Sequence, residues 1–231
     1  MSYVITAPAQ PSVPVVGSTD TFPVHRIYCV GRNYVDHAKE MGHTGREAPF
    51  FFMKPADAVL PVAAGVTGEL PYPPLTQDYQ HEMELVVAIG KGGRDIATTD
   101  ALQHVWGYAV GLDMTRRDLQ GEAKKLGRPW DTGKGFEHSA PIGPITPAAQ
   151  AGDIGKAAIT LHVNGALRQG STTDLLIWNV AETIADLSKY FTLQPGDLIY
   201  TGTPAGVAAV QRGDELVGAI AGLTDLRLKV V

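Results

Sequence analysis

From Phe22 onward the chain alternates short apolar stretches with turn residues, as HRIYCVG, PFFFMKP, AVLP and HEMELVVAIG do in succession, and these read as strands. Proline is dense between Pro49 and Pro74, which disfavours long helices there and suits edge strands and irregular connections. Four stretches carry a helical pattern: Asn33 to Met41, Thr99 to Val105, Thr115 to Leu126 and Asn179 to Phe191. The last is the clearest, with Val180, Ile184, Leu187 and Phe191 on one stripe, an Asn179/Glu182 capping box at the start and Pro195-Gly196 as the stop. AITLHVNGALRQG sets Asn164-Gly165 between alternating apolar positions, the signature of a two-residue hairpin, and the C-terminal DELVGAIAGLTDLRLKVV reads as two more strands. Strands outnumber helices, with no internal repeat and no linker. The expectation is a β-rich α+β fold: an N-terminal arm over 1–20 and a single catalytic domain over 21–231.

Composition narrows the classes. At 231 residues, with 44% hydrophobic and 19% charged, the chain can bury a substantial core. A net charge of −5 disfavours nucleic acid and anionic membrane as partners, since both need a positive surface. No apolar run approaches the roughly 20 residues that span a bilayer, and the first twenty residues lack the basic start and apolar stretch of a secretory leader. The only cysteine, Cys29, sits in an apolar run and reads as a buried free thiol. Together these predict a cytoplasmic protein.

Several catalytic motifs fail on inspection. HEMEL starts like a zinc-protease helix, but Leu85 stands where the second histidine belongs. Gly127 to Lys134 resembles a phosphate loop with one residue too many between its glycines, and Gly135 follows where a magnesium-binding Ser or Thr is needed. Glycine-rich dinucleotide, serine-elbow and paired-cysteine motifs are missing.

What remains is a set of charged residues in or next to apolar runs. Glu82 and Glu84 are two apart in a run continuing LVVAIG, a spacing that sends both side chains to one face of a strand. Buried carboxylates need a cation, and a bound metal or neighbouring Lys and Arg side chains would each supply one. Asp113 closes another apolar run, GYAVGLD. Three carboxylates without a cysteine or an obvious histidine cluster suit a hard, oxygen-loving ion: Mg2+ first, then Mn2+ or Ca2+. Arg117 and Gln120 follow at i+4 and i+7 from Asp113, on one helical stripe, where they could face a pocket or simply solvent. Lys134 lies between two glycines in DTGKGF, free to enter a cleft or to remain an ordinary loop lysine. His37 and Glu40 are i, i+3 and can pair as an oriented general base. Thr201-Gly-Thr203-Pro after DLIY could offer amides and a hydroxyl to an anion.

The stretches YCVGRNYVDHAKEM, FFMKP, HEMELVVAIGK, GYAVGLDMTRRDLQ, GRPWDTGKGFEHSAPIGP, LIWNVAETIADLS and GDLIYTGTPAGV, which span most of residues 25 to 215, resemble the fumarylacetoacetate hydrolase family, and within it the short members that cleave acylpyruvates. The resemblance implies a mixed β-roll of that family's C-terminal-domain type and a homodimer. It implies Glu82, Glu84 and Asp113 as metal ligands, His37 and Glu40 as the water-activating pair on a lid, Lys134 as a third catalytic group, and Arg117, Gln120, Thr203 and Lys54 as substrate contacts. The activity it implies is hydrolytic C–C cleavage of a small 2,4-dioxo acid, fumarylpyruvate to fumarate and pyruvate. Oxaloacetate decarboxylation, keto–enol tautomerisation or isomerisation of dienoic keto acids would use the same pocket, and a structural metal-binding module is the non-enzymatic reading. Arg46 and His43 could meet a distal carboxylate.

Overall fold

The computed structural model describes residues 3–35 and 46–231. The expected His37, Glu40 and His43 lie outside the described residues. Among the described residues the largest sheet has eight strands. Its path runs Phe50–Lys54, Ile27–Gly31, Leu198–Tyr200, Met83–Ile89, Val105–Leu112, Ala140–Ile142 and Val59–Pro61, with Thr146–Pro147 also on Val105–Leu112. Parallel pairs (Leu198–Tyr200 with Ile27–Gly31, Ala140–Ile142 with Val59–Pro61) mix with antiparallel ones. A second sheet of five strands orders Ala166–Thr172, Ala158–Val163, Glu215–Ile220, Leu226–Val230 and Thr67–Leu70. The fold is the β-rich, mixed α+β architecture expected.

Met83–Ile89 is buried along its whole length because apolar side chains cover both of its faces. Leu85, Val87 and Ile89 join Ile159, Leu161, Leu216 and Leu228 of the five-stranded sheet and Ile184 and Leu187 of the helix Val180–Tyr190. Val86 and Ala88 pack on the other side with Ile27, Cys29, Leu198 and Tyr200. A strand enclosed in this way cannot shift register, so the residues at its start are held firmly in place. Burial holds the Cys29 thiol well above its ordinary pKa, so it stays neutral, with the charge on Asp113 adding to the effect.

The local predictions hold where chemistry acts over short range. The helix Val180–Tyr190 has both halves of its capping box, Glu182 N donating to Asn179 Oδ1 at 3.0 Å and Asn179 N to Glu182 Oε2 at 3.1 Å. Asn164 and Gly165 turn the hairpin Ala158–Val163/Ala166–Thr172 at positive φ. Two helix expectations change. Thr99 to Val105 becomes the 3-10 turn Ala101–His104, and Thr115–Arg116 is strand, because it pairs with Tyr79 and Gln80, so the helix begins at Arg117 and ends at Lys125. Before position 21, Ser12–Pro14 pairs with Thr21–Pro23 and Val13 is fully buried. No helix of the described residues is long and apolar enough to cross a membrane.

Candidate metal and substrate site

Strand register assembles the acidic centre. Met83 pairs with Leu112 and Glu84 with Gly111, so one step further Glu82 lies opposite Asp113, whose amide donates to the Glu82 carbonyl at 2.9 Å. Opposed residues of an antiparallel pair share a face, and residues two apart do as well. All three carboxylates therefore converge although Glu82 itself falls outside the regular strand. Each offers an oxygen within 4.8 Å of the others, and all three residues are buried.

The loop after Leu198–Tyr200 closes over this centre. Thr201 N and Oγ1 donate to the Leu85 carbonyl at 3.0 and 2.9 Å, Gly202 N to Glu84 Oε2 at 2.8 Å, and Thr203 Oγ1 to the Met83 carbonyl at 2.8 Å. Gly202 has φ +101° and a Cβ there would stand 2.6 Å from Asn33 Cβ, so only glycine brings this amide onto Glu84. The amide expected to face an exogenous anion serves the protein's own carboxylate instead. Asn33, fully buried, pins the loop by donating to the Thr201 carbonyl at 2.8 Å while Trp178 N donates to its Oδ1 at 2.8 Å.

Lys134 is not a loop lysine. It ends the short helix Asp131–Lys134, and only 3% of its side chain is exposed. Its ammonium donates to Glu82 Oε2 at 2.8 Å and Asp113 Oδ2 at 2.6 Å. The neighbouring Gly133 lets that helix lie directly on Arg117–Lys125, since a Cβ would meet the Gln120 backbone nitrogen at 2.7 Å. Arg117 donates through Nη2 to Glu82 Oε1, through Nε to Gln80 Oε1 at 2.8 Å and through Nη1 to Gln120 Oε1 at 3.3 Å.

Lys54, expected to touch substrate, is placed elsewhere. Its fully buried ammonium lies behind the centre, 2.8 Å from Asp113 Oδ1, and donates to the carbonyls of Met114, at 3.2 Å, and Lys134. It does not line the pocket and acts as a positioning residue. The strand could have revealed it, because Phe50, Phe52 and Lys54 alternate onto one face and the first two line the pocket. Arg46 is exposed and committed to Glu182 at 2.5 Å and to the face of Trp178, so it does not reach the pocket either.

A pocket opens at this centre. Glu82, Glu84, Arg117, Gln120, Lys134 and Thr203 contribute its polar wall, and Phe50, Phe52 and Trp130 an aromatic one. Gln169 was missed by the sequence reading. It is buried and donates to Thr203 Oγ1 and the Pro204 carbonyl at 2.8 Å, while its own oxygen accepts from Met83 N at 3.0 Å and faces His81 Nδ1 at 2.9 Å. Simple alternation puts Gln169 and Leu167 on one face. The bulge that matches Leu161 to Gln169 but His162 to Leu167 separates them, so Leu167 is exposed and Gln169 faces inward.

Electrostatics divide the three acids. Burial alone would raise the pKa of Glu82, but Lys134 and Arg117 outweigh it and hold the carboxyl well below the usual range. Burial, Asp113 and Glu82 push Glu84 well above that range, against the opposing hydrogen bond from Gly202 and the charge of Lys134. Burial would lower Lys134, yet Asp113 and Glu82 keep its pKa raised. Asp113 Oδ1 accepts no hydrogen bond among the described residues. Three buried carboxylates with oxygen acceptors to spare, one of them harder to ionise without a cation, are the donor set a hard divalent ion takes.

Ion binding then favours the ionised form of Glu84. The raised pKa means the ion-free site binds more protons as pH falls, so divalent affinity is expected to climb with pH and binding to release a proton. Calorimetry with Mg2+ or Mn2+ between about pH 6 and about pH 8, in buffers of different ionisation enthalpy, checks this. An affinity flat across that window with no proton released would contradict it.

Fold and site together are those of a metal-centred small-acid enzyme. Residues 26–231 match the fumarylacetoacetate (FAA) hydrolase C-terminal family, and the chain belongs to the fumarylacetoacetate hydrolase family. A fumarylpyruvate hydrolase from Ralstonia sp is 50% identical over 184 residues, 80% of this chain and 93% of that one. The crystal structure of fumarylpyruvate hydrolase from Pseudomonas aeruginosa in complex with Mn2+ and pyruvate is 58% identical, with a TM-score of 0.98 over 100% of this chain and 99% of that one. A mitochondrial oxaloacetate tautomerase from Rattus norvegicus is 42% identical over 204 residues, 88% of this chain and 90% of that one.

Proposed function

We propose that the protein is a divalent-metal-dependent hydrolase that cleaves the C–C bond of a 2,4-dioxo acid, with fumarylpyruvate giving fumarate and pyruvate. The observation that carries this reading is a cluster of three buried carboxylates able to hold an ion, two of which, Glu82 and Glu84, line one pocket with Arg117, Gln120, Lys134 and Thr203. The 58% identity to a fumarylpyruvate hydrolase crystallised with Mn2+ and pyruvate supports it.

Glu82, Glu84 and Asp113 would hold the ion, which when bound supplies Lewis-acid stabilisation of negative charge on substrate oxygens. Mg2+ is proposed as the cellular ion on the hard oxygen donor set. Arg117, Gln120 and Thr203 orient the oxo acid, and the Arg117–Gln120 and Gln169–Thr203 hydrogen bonds fix that geometry before binding. Glu40 and His37 are assigned the proton of the attacking water, whose oxygen bonds to the distal carbonyl carbon. The Lys134 ammonium stabilises the resulting oxyanion. Collapse of that adduct breaks the C–C bond. The electron pair goes to the pyruvate half as its enol form, which is then protonated at carbon, and the acyl half leaves as its carboxylate. A homodimer is proposed on the family resemblance, and a cytoplasmic location on the single buried Cys29 thiol.

Keto–enol tautomerisation of oxaloacetate is the second reading, supported by the 42% identical tautomerase. Parallel kcat/KM values for fumarylpyruvate cleavage, acetylpyruvate cleavage and oxaloacetate tautomerisation decide between them. The proposal expects fumarylpyruvate to be the best of the three; a larger value for oxaloacetate would replace it with the second reading.

A further inference from the structure

The charges lining the pocket do not cancel. Its carboxylates are Glu82 and Glu84, while its cations are Arg32, Arg117, Lys124 and Lys134. Arg117 is taken up by Glu82, and Lys134 by Glu82 and Asp113. That leaves the cation of Lys124 facing a wall to which no further acid contributes among the described residues. Arg32 stands 5.3 Å from the Phe50 ring centroid. Lys124 is exposed, and no described residue hydrogen-bonds or ion-pairs with its ammonium.

Helix geometry says where Lys124 stands relative to the acidic centre. Arg117, Gln120 and Lys124 are spaced i, i+3 and i+7 along Arg117–Lys125, so they form one stripe, and all three line the pocket. Seven residues of helix rise about 10.5 Å, so the stripe runs from the Arg117 contact with Glu82 outward by roughly the reach of an extended dioxo acid with a carboxylate at each end. Lys125, the last residue of the helix, does not line the pocket, so of the two basic residues in its last turn only Lys124 is on the pocket side.

We infer that Lys124 is the specificity-determining contact for the far carboxylate of the substrate, selecting dicarboxylic 2,4-dioxo acids such as fumarylpyruvate over acylpyruvates with an uncharged tail. This rests on the function proposed above and adds to it the substrate class. An exposed ammonium meeting a carboxylate is partly screened, so the effect is moderate: Lys124→Ala is expected to lower the ratio of kcat/KM for fumarylpyruvate to that for acetylpyruvate about tenfold. Lys124→Arg should restore most of the ratio, Lys124→Glu should lower it further, and Lys125→Ala should leave it at the wild-type value.

A second measurement is independent of turnover. Magnesium-loaded protein is titrated by calorimetry with 2-oxoheptanedioate and with 2-oxoheptanoate, neither of which has the cleavable dioxo unit and which differ only in the far carboxylate. The wild type is expected to bind the dicarboxylate more tightly, and Lys124→Ala to remove most of that difference. A kinetic ratio unchanged in Lys124→Ala overturns the inference even if both rates fall together, and so does an equal affinity of the wild type for the two probes. If the wild type cleaves neither dioxo acid, the proposed function fails while the probe pair still decides the role of Lys124.

Discussion

Asp113→Ala is expected to abolish metal binding and turnover and to destabilise the protein by about 3–5 kcal/mol, the cost of leaving buried ionic partners without their counter-charge. Asp113 is 1% exposed and sits between two buried ammonium groups, Lys54 at 2.8 Å and Lys134 at 2.6 Å. Lys134 keeps Glu82 after the substitution, but Lys54 is left with carbonyl oxygens alone. For a chain of this size the melting temperature should fall by about 10 °C, with Asp113→Asn retaining more of the stability because it keeps a polar oxygen facing the Lys54 ammonium. Thermal unfolding with metal analysis checks this. A stable Asp113→Ala protein that still holds one divalent ion would remove Asp113 from the centre.

Lys134→Met separates chemistry from metal binding. Methionine fills the same space, all three carboxylates remain, Glu82 keeps Arg117 and Asp113 keeps Lys54. The fold and a divalent ion should therefore be retained. What is lost is the pocket cation joined to both Glu82 and Asp113, the group proposed to stabilise the oxyanion, and kcat is expected to fall about 10²–10³-fold, the range for removing one preorganised oxyanion donor. Steady-state kinetics at saturating metal, with metal content measured on the same samples, tests it. A kcat within a few-fold of wild type would contradict the role, and loss of the ion would assign Lys134 to ion binding instead.

How much of this was legible in the sequence depends on the range over which each feature is fixed. The capping box of Val180–Tyr190, the Asn164-Gly165 hairpin and the fully buried Met83–Ile89 follow from local pattern, and each is where the sequence places it. The acidic triad was legible as three carboxylates in or beside apolar runs, and the pairing of Met83 with Leu112 is what brings them together. Lys54 and Lys134 look like ordinary exposed lysines in one dimension. They are buried because Asp113 and Glu82, distant in sequence, supply their counter-charges. Gln169 and Asn33 were illegible for a related reason: a bulge turns the first inward, and the second bonds to Thr201 and Trp178 well over a hundred residues away. Thr115–Arg116 read as helix because propensity cannot anticipate a strand partner at Tyr79 and Gln80.

The most direct test of the whole reading is to follow fumarylpyruvate by proton NMR with protein stripped of metal, then with Mg2+ or Mn2+ restored. The account predicts no turnover by the stripped protein and stoichiometric fumarate and pyruvate once the ion is back. Equal cleavage with and without the ion, or an ion-loaded protein that leaves fumarylpyruvate intact, would contradict it.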